Sequence, residues 1–221
     1  MKLLCKASTK FIIGLLLVGS LLFLPAGSFA YPNAWLFIAL LFIPILILGT
    51  ILFFKAPQLL KERLDAKEND KTQKSIVALS GLLFFVGFVV AGLDYRFSLS
   101  SIPKWAVITA SVILFISYAL YCEVMRENAY LSRTIKVQEN QTVIDTGLYG
   151  IVRHPMYAVT VWLFLAIPIV LGSWWSLLCF VPYLPIIIIR ILNEEKFLSR
   201  ELNGYEDYKK RVKYRLIPFI F

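Results

Sequence analysis

Apolar residues come in six long blocks, at 11–30, 34–54, 75–93, 105–122, 157–171 and 174–191, with most polar residues collected between them. A helix needs about 20 apolar residues to cross the hydrocarbon core of a bilayer. Inside that core only segments that satisfy their own backbone groups are tolerated. Each block is therefore expected to be a helix, and the chain an all-α integral membrane protein with five to six transmembrane helices. The fifth block is short, and Ser173 barely parts it from the sixth, so these two are expected to form one tight C-terminal helical hairpin. Pro168, Pro182 and Pro185 within it predict kinks, because each removes a backbone donor.

The polar segment before the hairpin has its own grammar. Residues 123–130 are expected to carry the fourth helix past the membrane boundary. The stretches 134–138 and 142–144 then alternate as a short hairpin or an extended loop would, and Asp145-Thr146-Gly147 marks a turn. Pro155 suits the first position of the next helix, where its missing donor costs nothing.

Composition agrees with the pattern. Hydrophobic residues make up 59% and charged residues 17%, against roughly 45–50% and 25% in soluble domains. Charge placement predicts the topology. Of 23 Lys and Arg residues, only Arg96 and Lys104 fall opposite the N-terminus, the 55–74 and 123–156 segments and the tail. By the positive-inside rule both termini are expected to be cytoplasmic, in a plasma membrane if the source is prokaryotic or the endoplasmic reticulum if eukaryotic. The net charge of +9 is then accounted for by anionic headgroups, with no nucleic acid. The Lys-rich start and Pro25…Ala30 also fit a cleavable leader; the long apolar core favours a retained helix. Cys5, Cys122 and Cys179 have no metal-ligand spacing. We read residues 1–221 as a single membrane domain, with helices in 1–122 and the chemistry in 123–221.

The only histidine, His154, stands at the mouth of the fifth block beside Arg153 and Tyr157. An interfacial anchor cluster is the plain account. The sixth block, however, ends in Arg190 with Glu194 and Glu195 one turn on. Arg190 and Glu194 share a helix face at i, i+4, and ionisable groups at the edge of a membrane helix mark a functional site by default. A tight hairpin returns Arg190 to the level of Tyr157, so that His154, Tyr157, Arg190 and Glu194 face one pocket.

Gly147-x-Tyr149-x-x-x-Arg153-His154-Pro155-Met156-Tyr157, an apolar hairpin, Arg190-x-x-x-Glu194-Glu195 and the tail Tyr205-x-x-Tyr208-x-x-Arg211-Val212 together resemble the isoprenylcysteine carboxyl methyltransferase family, within a wider group that includes phospholipid methyltransferases. The resemblance covers about residues 123–221. It implies a membrane methyltransferase using S-adenosylmethionine, a cytoplasmic cofactor pocket, and a lipophilic acceptor arriving from the bilayer. By the same resemblance Gln138, Gln141, Thr142, Val143, Ile144, Tyr149, His154, Pro155, Met156, Tyr157 and Glu194 match cofactor-contacting positions. Arg190 matches the arginine at the acceptor group, with Glu194 beside it as a second catalytic position. Gln141 stands where the family often has histidine, Leu148 where it has proline, and Asn203-Gly204 shortens the approach to Tyr205.

A carboxylate acceptor needs no base and is suited to a guanidinium; an amine would need His154 or Glu194 to take its proton. Thiol methylation is a further alternative. No G-x-G-x-x-G follows a strand, which excludes a soluble Rossmann-type methyltransferase. A scaffold or a transporter is the alternative of another class. Against transport, the first four blocks carry no ionisable residue near the midplane, where a transporter usually places its site.

Overall fold

The computed structural model describes residues 2–65, 71–132, 134, 135 and 137–221, with residues 71–73 described as backbone. Lys67, Arg133 and Lys136, counted above among the basic residues of one face, lie outside the described residues. The described chain folds into helices α1 (Lys2–Ala26), α2 (Pro32–Lys55), α3 (Pro57–Leu64), α4 (Lys71–Phe97), α5 (Lys104–Glu127), α6 (Pro155–Val170), α7 (Trp174–Phe180), α8 (Tyr183–Glu201) and α9 (Tyr205–Arg211). A 3₁₀ turn covers Gly147–Gly150. Five stretches are long and apolar enough to cross a membrane: α1, α2, the apolar length of α4, α5, and residues 174–201 made of α7 and α8. α6 is apolar but shorter, at 16 residues.

Local chemistry explains most boundaries. Proline opens α2, α3 and α6 at a position where a missing N–H is harmless. α5 stops at Glu127 rather than running on to Tyr130, because the Asn128 side chain accepts the Tyr130 N–H at 3.0 Å and turns the chain. Of the three hairpin prolines, Pro182 divides the sixth block into α7 and α8. Pro168 and Pro185 sit in end turns of α6 and α8. Among the described residues there is no strand, so the 134–144 stretch is the loop of the two expected alternatives. The short helix α3 was not expected from the pattern.

Lipid tails are as apolar as leucine, so close packing rather than water exclusion holds membrane helices together. The core is accordingly built from tight contacts around Leu22, Phe37, Ala91, Leu114, Ile167 and Phe180. Phe84 meets Phe164 and Phe180 edge-on, with centroids 4.4 and 5.1 Å apart, and Phe164 meets Tyr183 at 4.6 Å. Each such pair adds about 0.5–1.5 kcal/mol beyond its buried area. Gly92 lets α1 and α4 touch: a Cβ there would lie 2.6 Å from the Leu22 carbonyl oxygen. Gly92→Ala is expected to force the two helices apart at a cost of about 1–3 kcal/mol. Thermal unfolding of the detergent-purified variant measures this, and an unchanged Tm would mean that α1 is not held at that distance.

One end of the bundle is pinned by a buried carboxylate. Asp94, near the end of α4, accepts from Ser100 Oγ at 2.6 Å and from Ser173 Oγ, while Ser176 Oγ donates to the Gly87 carbonyl at 2.9 Å. Tyr31 OH donates to the Leu171 carbonyl. These bonds tie the α6–α7 turn to α2 and α4. They leave the opposite end, where α5 and α8 finish and α6 begins, to the polar loop and the tail.

Candidate functional site

A cavity of about 110 Å³ lies at that opposite end. Its walls come from the loop after α5, the start of α6, the last turns of α8, and α9. Of the residues singled out from the sequence, Gln141, Thr142, Val143, Ile144, Tyr149, His154, Met156, Tyr157 and Glu194 all line it. Gln138, Pro155 and Arg190 are not among its lining residues. Gln138 braces the loop, its Nε2 donating to the Tyr130 carbonyl at 2.7 Å and its backbone N–H to Gln141 Oε1 at 2.9 Å. Pro155 is the first residue of α6.

The 3₁₀ turn carries Tyr149 into the wall. Gly147 takes φ +51°, and a Cβ there would overlap the Glu127 carboxylate, which accepts the Leu148 N–H at 2.9 Å. Only glycine allows this loop to dock on the end of α5. Tyr149 OH accepts from Asn128 Nδ2 at 2.9 Å. Burial raises the Tyr149 hydroxyl to about 12, so it stays protonated throughout the physiological range.

Tyr157 joins the two candidate acceptor-side groups. Arg190 Nε donates to its hydroxyl at 2.9 Å, and the hydroxyl donates to Glu194 Oε2. The expected i, i+4 neighbours on α8 are thus linked through a side chain from α6, which sets how far apart they stand.

The neighbouring Glu195, to which the sequence reading gave no role, has a different task. It is buried (5% exposed) and accepts from Arg153 Nε at 2.7 Å and from Arg215 Nε at 2.9 Å. His154 Nε2 lies 3.3 Å from it. Arg153 also donates through Nη1 to the Val212 and Lys213 carbonyls, at 2.7 and 2.8 Å. The backbone N–H groups of Arg153 and His154 donate to the Tyr214 and Arg215 carbonyls, both at 2.9 Å. Loop, α8 and C-terminal tail therefore close on one carboxylate.

Several wall residues escaped the sequence reading. Asn128, Tyr130, Ser132, Leu198 and Leu202 lie on it; Arg153, Tyr205 and Tyr208, which the motifs include, line it as well. The first three blocks were expected to carry no chemistry. Arg63 of α3, in the segment between the second and third blocks, does reach the wall: its Nη1 donates to the Ser132 carbonyl at 3.2 Å and lies 3.9 Å from Met156 Sδ. Its Nη2 donates to Tyr121 OH. No local spacing signals this, because Arg63 lies 69 residues from Ser132.

Tyr149, Tyr157 and Tyr205 line the cavity together with Glu194 and residues 141–144. A buried hydroxyl, that of Tyr205, has no partner among the described residues.

Residues 104–203 match the family model of phospholipid methyltransferase, the family of the isoprenylcysteine and phospholipid methyltransferase group that the motifs resemble. The matched span takes in α5, the loop and the hairpin, and so most of the cavity wall. No curated protein matches the chain.

Proposed function

We propose that this chain, matched over 104–203 to the phospholipid methyltransferases, transfers a methyl group from S-adenosylmethionine to a lipophilic acceptor held in the membrane. The cofactor is held by Tyr149, His154, Tyr157, Glu194 and the 141–144 stretch. Bound there, it supplies an electrophilic methyl group on a sulfonium. The observation that carries this reading is the Arg190–Tyr157–Glu194 link at the cavity wall. In this reading the guanidinium serves the acceptor and the carboxylate the cofactor, and one hydroxyl bonds both. Methyl transfer is a displacement in line, and such positioning supplies up to about 7–11 kcal/mol of the barrier.

The acceptor we favour is a carboxylate of the isoprenylcysteine type. A carboxylate is already ionised, and both candidate bases are engaged: His154 Nε2 faces Glu195 and one oxygen of Glu194 holds the Tyr157 hydroxyl. N-methylation of a lipid amine is the second reading, favoured by the description of the matched family. Membrane lipids and the acceptor are the expected partners. The distribution of basic residues supports a cytoplasmic position for this end of the bundle.

Calorimetric titration of the detergent-purified protein with S-adenosylmethionine tests the cofactor. Wild type is expected to bind with a micromolar dissociation constant, and methyl transfer to carboxylate, amine and thiol lipids is then compared. A well-folded protein that binds neither S-adenosylmethionine nor S-adenosylhomocysteine would refute the reading.

A further inference from the structure

Two tyrosines three residues apart on α9 are buried against the cavity, yet only one of them has a partner. Tyr208 is 2% exposed, and its hydroxyl donates to the Tyr149 carbonyl at 2.8 Å. Tyr205 is 4% exposed and also lines the cavity, and its hydroxyl meets no hydrogen-bonding partner among the described residues. Leaving a buried hydroxyl unbonded is costly, and a phenylalanine would fill the same space without that cost.

The arrangement is not local slack. Gly204 takes φ +84° at the start of α9, a left-handed conformation that aims the helix at the cavity. Leu202, Tyr205, Tyr208 and Val212 pack with Val137 and Val143 in one apolar cluster. The ring is thus clamped while its polar tip is left over. Burial pushes the Tyr205 hydroxyl well above its ordinary range, with the Glu195 and Glu194 charges adding to it. At neutral pH it is a protonated donor and acceptor, not a base.

We propose that the Tyr205 hydroxyl is a binding contact for the methyl-donor cofactor, bonding a polar group shared by S-adenosylmethionine and S-adenosylhomocysteine. This rests on the cofactor reading above. The tail helix thereby senses occupancy of the cavity: ligand completes a hydrogen bond that, among the described residues, the cavity wall leaves open. Stability is given up in the empty protein and recovered on binding.

The test sets Tyr205→Phe against Tyr208→Phe, with S-adenosylhomocysteine as the probe. Without ligand, Tyr205→Phe is expected to unfold at the wild-type temperature or above it. Tyr208→Phe, which strands the Tyr149 carbonyl, should unfold about 2–10 °C lower. Calorimetry of Tyr205→Phe should show binding weakened about tenfold, with a smaller thermal shift on saturation than wild type. A Kd within twofold of wild type would overturn the proposal. So would a ligand-free Tm depressed as in Tyr208→Phe, since the hydroxyl would then be serving the fold. A wild type that binds no probe at all is a different outcome: it removes the cofactor reading together with this one.

Discussion

Glu195→Ala is expected to lower the unfolding temperature by roughly 6–20 °C and to abolish cofactor binding. Removing one partner from a buried charge cluster costs about 3–5 kcal/mol, and each kcal/mol moves Tm by about 2–4 °C in a chain of this size. Arg153 would stay buried at 7% exposure with its Nε unpaired, and Arg215 would lose the same anchor. The tail segment at 212–215 hangs on these bonds, and with the tail goes the α9 wall of the cavity. Glu195→Gln keeps the shape but not the charge, and should fall between. Glu194→Gln is the contrast: it removes the charge that Tyr157 bonds but leaves the clamp, so it should weaken binding with little thermal cost. Differential scanning of the three variants reads this directly. A Glu195→Ala protein that melts within 2 °C of wild type, an allowance below the roughly 6 °C minimum expected, would show that the clamp does not hold the tail.

Arg190→Lys is expected to reduce kcat/KM for the lipid acceptor by about 10²–10³-fold while leaving cofactor affinity within about threefold. Lysine keeps the charge but loses the planar guanidinium that donates to Tyr157 OH and suits a carboxylate. Because Tyr157 touches both Arg190 and Glu194, the Tyr157→Phe effect and the Arg190→Lys effect should be strongly non-additive. Steady-state kinetics of the two single variants and the double variant settle the coupling. Full activity of Arg190→Lys would rule out a guanidinium-held carboxylate and turn the acceptor reading towards an amine.

Much of this was legible in one dimension. Run length determines where helices can cross a bilayer, because the hydrocarbon core has a fixed thickness. The sequence therefore carried the helical architecture, the hairpin and the end of the bundle where polar groups gather. The His154–Tyr157 and Arg190–Glu194 motifs pointed to the cavity because each lies within one helical turn.

Tertiary structure decided everything that joins distant positions. Adjacent residues on a helix point about 100° apart, so Glu194 and Glu195 face different neighbours; the i, i+4 spacing to Arg190 singled out Glu194, but no spacing said what Glu195 would meet. Only the placement of α6 and the tail against α8 makes Glu194 a wall residue and Glu195 a clamp. The same holds for Arg63, which reaches the wall from α3, and for Tyr205, whose hydroxyl is left unbonded while that of Tyr208 is not. A sequence determines which groups are available to bond. Which of them meet, and which are left for a ligand, depends on how whole helices pack, and that packing is set by the summed contacts of residues far apart along the chain.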